Sequence, residues 1–153
     1  MTTASKENDT EQEALATATP PSVLRFIPRN SFPVKVGFPA LYPETVENPF
    51  TFHMRVQLNK DAQAMQEKFL GMPDDEQTPS EYYLYNLQMI AMLSTTPPEG
   101  FPDFPTEFNG ESLESVIRHY LMRDDKDEAE GMAMICQAVM NKYWYSLRSP
   151  DYL

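Results

Sequence analysis

The chain has 153 residues, enough for one domain that buries a real core. It carries a net charge of −11, 14 prolines against 5 glycines, and a single cysteine. The charge argues against a nucleic-acid partner, whose phosphates need clustered cations, and one cysteine excludes an intramolecular disulfide.

Residues 1–22 read as a disordered acidic tail that ends at Pro20-Pro21. Residues 23–153 read as a single α+β domain, with strands and a proline-rich arm over 23–58 and helices over 59–149. The short apolar stretches 23–27 and 32–38 are bounded by prolines, which lack a backbone donor, so they are expected as edge strands or extended arms. Residues 50–58 give the clearest strand. Phe50, Phe52, Met54, Val56 and Leu58 alternate with polar residues, so one face is apolar and the other wet. The expected architecture is a small N-terminal antiparallel β-sheet or hairpin packed on a C-terminal bundle of about four helices.

Asn59 can cap a first helix over 60–70, with Ala62, Met65 and Phe69 as its apolar stripe and Gly71 as its stop. Thr78-Pro79-Ser80-Glu81 has the form of a capping box and opens a second helix running to about residue 94. Its inward face is expected to hold Tyr83, Leu84, Leu87, Ile90, Ala91 and Leu93. The connection over 95–110 carries four prolines and Phe101, Phe104 and Phe108, so it should lie against the domain and bury its rings. A third helix is expected near 111–123, and a fourth over 126–147 with Asp125 as its cap. Met132, Ile135, Cys136, Val139, Met140, Tyr143 and Leu147 form the fourth helix's stripe, and Lys142 and Arg148 complement its C-terminal end.

The acidity is segregated. Residues 73–130 hold 14 Asp and Glu against Arg118, Arg123 and Lys126, while the rest of the chain holds 9 acids and 9 bases. Such a field suits solubility or a basic protein partner. No apolar run approaches the roughly 20 residues of a bilayer span. The first residues also lack the basic and apolar regions of a secretory signal. A cytoplasmic location with no membrane partner is therefore expected.

Chemistry-bearing motifs do not appear: there is no phosphate loop, no nucleophile elbow and no paired zinc histidines. His53 falls on the polar face of the best strand, and His119 is expected to pair with Glu111 or Glu114 at the surface. Cys136 lies in an apolar stripe and reads as a core residue. The run Asp124-Asp125-Lys126-Asp127-Glu128 lacks the spacing and glycine of a calcium loop. No catalytic, metal or cofactor residue is assigned, and an enzyme is the least favoured class.

Methionine is in excess, at ten residues, and aromatics cluster at 82–85 and 143–145. Three consecutive helical aromatics cannot all point inward, because successive side chains stand 100° apart. Flexible thioethers and aromatics suit adaptable binding of apolar segments. Tyr82, Tyr85, Met89, Met92, Met134, Trp144 and Tyr145 are the candidate partner-binding residues.

The strand FTFHMRVQL and the helix NKDAQAMQEKF directly after it are followed by a Tyr- and Leu-rich helix, a Pro/Gly/Phe loop and two closing helices. Over residues 50–147 this order resembles the tail assembly chaperones of long-tailed bacteriophages. The resemblance implies a non-enzymatic assembly chaperone that binds the tape-measure protein, and tail-tube subunits, in the host cytoplasm before tail assembly. Two other classes fit the composition. One is a structural virion component, such as a head–tail connector or decoration protein, whose proline-rich arm reaches neighbouring subunits. The other is an acidic inhibitor that mimics DNA.

Overall fold

Two strands, β1 (Ser31–Val36) and β2 (Phe50–Arg55), pair antiparallel with Phe32 opposite Met54, Val34 opposite Phe52 and Val36 opposite Phe50. The computed structural model describes residues 30–148. The expected tail over 1–22 and the expected strand over 23–27 lie outside the described residues. The six residues just paired share one face of the sheet, and all six are buried. The alternation read from the sequence thus sets the sheet's inner face.

Residues 94–99 return along the free side of β2. Thr95 N–H donates to His53 O at 2.8 Å, and Thr51 and Glu99 exchange backbone bonds at 3.0 and 2.8 Å. His53 and Thr51 thereby direct their backbone groups away from β1. Pro33, opposite His53, then occupies a non-hydrogen-bonded position, where its missing N–H costs the ladder nothing. The strand expected over 50–58 stops at Arg55, because the chain bends at Val56 and Gln57. Val56 still donates its N–H to Asn30 O at 3.2 Å, just past the strand ends, and Val56 and Leu58 remain half-buried against the core. In the loop joining the strands, the buried Thr45 accepts from Phe38 N–H at 2.8 Å and donates to Tyr42 O at 2.7 Å, folding the proline-rich segment back on itself.

Four helices follow: α1 (Lys60–Leu70), α2 (Pro79–Leu93), α3 (Leu113–Leu121) and α4 (Lys126–Leu147). Each starts on a side-chain cap that satisfies a backbone N–H otherwise left open. Asn59, Thr78, Ser112 and Asp125 accept from Ala62, Glu81, Ser115 and Glu128 respectively. The third helix is shorter than expected, since its cap is Ser112 and the preceding Asn109-Gly110 pair takes left-handed conformations. At the end of α1, the Gln77 amide donates to the carbonyls of Phe69 and Met72 at 3.2 and 2.8 Å, filling acceptors the helix cannot. Lys142 does not complement the end of α4 as expected. Its Nζ reaches Lys35 O at 2.7 Å and fastens the helix to β1.

Helix α2 occupies the centre, touching α1, α3, α4 and β2, while α4 lies on α2 and β1. The Tyr143 ring stacks on Phe32 with centroids 5.6 Å apart, and its hydroxyl donates to Arg55 O at 2.7 Å, joining α4 to both strands. The long connection before α3 lies against the domain as expected. Phe101 is buried and stacks flat on Phe50 at 4.1 Å, while Phe104 and Phe108 are half-buried. Gly100, at φ +98°, permits this contact, because a Cβ there would stand 3.2 Å from the Phe50 ring.

Replacing Phe101 by Ala should therefore cost about 3 kcal/mol despite its place in a loop, read as a lowered urea midpoint. Burial also pushes the Tyr83 and Tyr143 phenols up from the ordinary 10 to about 12. The fold holds both neutral, whereas the unfolded chain ionises them near 10. Their contribution to stability is complete below pH 10 and is lost as pH rises toward 12. Stability measured by urea unfolding should fall across that window, and a 295 nm titration of the folded protein should show tyrosines ionising late.

Candidate interaction surfaces

The two histidines and the cysteine hold structural positions. His53 Nε2 stands 3.1 Å from Glu99 Oε2 across the β2 edge, and His119 Nδ1 stands 3.3 Å from Glu111 on the surface. Cys136 is fully buried, and loss of hydration drives its thiol well above the ordinary range, so the thiolate nucleophile is suppressed. Among the described residues, no group of three or more His, Cys, Asp or Glu could hold a metal ion. No helix among them is long and apolar enough to cross a membrane.

The residues proposed from sequence as partner contacts separate into two sets. Met89 is fully buried and unavailable to a partner in this fold, whereas Tyr85 is buried apart from the part that lines a cleft between α1 and α2. This corrects the expectation that Met89 lies off the main stripe of α2. The helix has no free face there, since α1, α3, α4 and β2 surround it, and a helix enclosed on all sides is apolar all round. Met92 and Trp144 are half-buried, with Trp144 set edge-on to Tyr143 at 5.2 Å. Tyr82 is half-buried over Phe69, with ring centroids 5.8 Å apart. Met134 and Tyr145 are open to solvent, at 56% and 63% exposure.

Met134 and Tyr145 stand eleven residues apart on the outer side of α4. Between Glu130 and Lys142 this helix has no charged residue, which is notable in a chain that is 23% charged. Leu41, also exposed, lies over Gly131, where a Cβ would come within 2.5 Å of its Cδ1. Absence of a side chain at Gly131 lets the loop between the strands sit directly on the helix.

A second surface is a cleft of about 130 Å³ between α1 and α2. Its floor is Phe69 stacked on Tyr85 at 4.4 Å, its apolar walls are Met65, Met72 and Leu84, and Lys68, Glu81 and Gln88 add polar groups. Met65, Phe69 and Met72 recur at helical spacing, which the sequence shows. The stop at Gly71, however, hides that Met72 still faces the same cleft. Tyr85, proposed as a contact, here supports the floor.

A third concavity, of about 370 Å³, lies between the loop before α3 and α3 itself, with Phe108, Val116 and Tyr120 as walls and Glu107 and Glu111 at its mouth. The sequence places Phe108 in a loop expected to bury its rings, pairs Glu111 with His119, and leaves Glu107 as one of the acids that suit solubility or a basic protein partner. Their convergence arises from the left-handed turn at Asn109-Gly110, φ 53° and 87°, which brings the end of the loop onto α3.

Met89→Ala should destabilise the fold by about 2–5 kcal/mol, as a core truncation does. Met134→Ala and Tyr145→Ala should each change stability by no more than about 0.5 kcal/mol, as surface substitutions do. Urea denaturation of the three variants measures both expectations. Comparison of the chain with protein-family models, with curated proteins and with solved structures gives no match.

Proposed function

We propose that the chain is a non-enzymatic binding protein of the assembly-chaperone type, acting in the host cytoplasm. Its client is an apolar helical segment of a tail protein such as the tape-measure protein. The observation that carries this reading is the methionine-walled cleft between α1 and α2. Thioethers beside an aromatic floor can repack around different apolar side chains at low cost, which suits a client presenting many similar segments. Polar groups at Lys68, Glu81 and Gln88 fit the outer face of an amphipathic helix.

The cleft's size limits what it does. A cavity of roughly 150 Å³ holds a benzene-sized group, so this one accepts a single anchor side chain. Burying one Leu or Phe contributes about 1.5–3 kcal/mol, whereas micromolar affinity requires about 8 kcal/mol. The cleft therefore sets the register of a client, and adjoining surface supplies the remaining affinity. Weak, adaptable capture is what a protein that must later release its client needs. The acidic residues over 73–130 would keep such a complex soluble.

Co-expression with a long coiled-coil tape-measure protein tests the proposal. The wild-type chain should co-purify with it and raise its soluble fraction. Met72→Glu and Leu84→Asp, with folding checked by circular dichroism, should each reduce recovery by about tenfold or more, since a buried unpaired charge costs several kcal/mol. Wild-type protein that neither co-purifies nor solubilises the client overturns the reading.

A further inference from the structure

The concavity between the loop before α3 and α3 itself has a chemistry unlike that of the α1–α2 cleft. Its walls are the rings of Phe108 and Tyr120 with Val116, and its mouth carries Glu107 and Glu111. Glu111 is engaged on its own helix side, accepting from Ser115 Oγ at 3.0 Å and facing His119 Nδ1 at 3.3 Å. The Glu107 carboxylate has no hydrogen-bond or ion-pair partner among the described residues. An aromatic wall with a free carboxylate at its rim favours a flat cation, which stacks on the ring and bonds the carboxylate with its edge.

The protein already seats one such group on Tyr120, outside the concavity's lining. The Arg123 guanidinium carbon lies 4.4 Å from the Tyr120 ring centroid, with its terminal nitrogens 3.8 Å from Asp103 and 3.5 Å from Glu128. Tyr120 also donates its hydroxyl to Asp103, which holds the ring in place. This is an intramolecular instance of a guanidinium held by the same ring and by carboxylates of the same acidic region. Phe104, edge-on to Tyr120 at 5.0 Å and to Phe108 at 6.4 Å, braces the two rings that line the concavity.

We infer that this concavity is a docking site for an arginine side chain presented by a protein partner. Charge complementarity selects the occupant: residues 73–130 carry 14 acids against three bases, so the approach of a basic segment is favoured over the whole surrounding surface. Arginine is preferred to lysine, because its planar fork stacks on an aromatic face while bonding a carboxylate bidentately. The inference is independent of the proposed client cleft, which lies between other elements.

The test is an NMR titration of the full chain with a short arginine-containing peptide and with its citrulline counterpart, which keeps shape and loses charge. The arginine peptide should shift the resonances of Phe108, Val116 and Tyr120. The double substitution Glu107→Gln and Glu111→Gln should weaken binding by about fivefold, the combined effect of two exposed charge contacts. Asp74→Asn with Asp75→Asn removes two charges from an exposed turn elsewhere and should leave affinity unchanged. Equal binding of the citrulline peptide overturns the inference, as does equal weakening by both double variants, which would show attraction by net charge alone. Spermine that reproduces the shifts at the concavity where the peptide fails overturns it in favour of a small polyamine.

Discussion

A two-stranded sheet does not stand alone in water, because its apolar face buries too little when only its own strands are present. Here that face consists of Phe32, Val34, Val36, Phe50, Phe52 and Met54, and covering it is the constraint on which the remaining architecture depends. Three cover pieces converge from distant parts of the chain. Helix α4 lies on β1 and brings Tyr143 onto Phe32. Helix α2 reaches β2, and the loop before α3 lays Phe101 flat on Phe50. The Tyr143 hydroxyl also takes the Arg55 carbonyl where β2 ends, so a polar group that would otherwise open the sheet's end is satisfied from inside the core.

Enclosure of α2 follows from that arrangement and decides which surfaces are left for binding. A helix touched by three others and a strand has little free surface, so its methionine and tyrosine at positions 89 and 85 become core. Accessible apolar groups at the periphery include those of the α1–α2 cleft, the uncharged outer side of α4, and the concavity beside α3. These differ in kind. Thioethers and a stacked aromatic floor form the first, an exposed Met and Tyr form the second, and rings with carboxylates form the third. Under the proposed readings, the first would take an apolar anchor and the third a cationic one.

The acidic region has internal structure beyond its contribution to net charge. Asp125 caps α4, Glu111 and Ser115 join across the first turn of α3, and Asp103 and Glu128 flank the Arg123 guanidinium. Exposed pairs of this kind contribute little stability each. Their effect is to commit several carboxylates to local partners while leaving others, Glu107 among them, open at a rim.

The sequence by itself determined the local elements. Period-two alternation placed the inner face of β2, and Asn59, Thr78 and Asp125 marked three helix starts, because a strand's facing and a helix's capping depend on residues a few positions apart. Three phenylalanines in a proline-rich loop were enough to show that it lies against the domain. Tertiary structure alone decided the rest. The Arg55 carbonyl at the end of β2 is satisfied by a hydroxyl supplied 88 residues away, and Pro33 is harmless because the register sets it opposite His53 at a non-hydrogen-bonded position. Burial of Met89 and exposure of Met134 cannot be separated by periodicity. Both positions sit at the margin of an amphipathic pattern, and the number of neighbours around each helix settles the matter. The concavity beside α3 has the same origin, since its carboxylates and rings meet only when a left-handed turn at Asn109-Gly110 brings the loop onto α3.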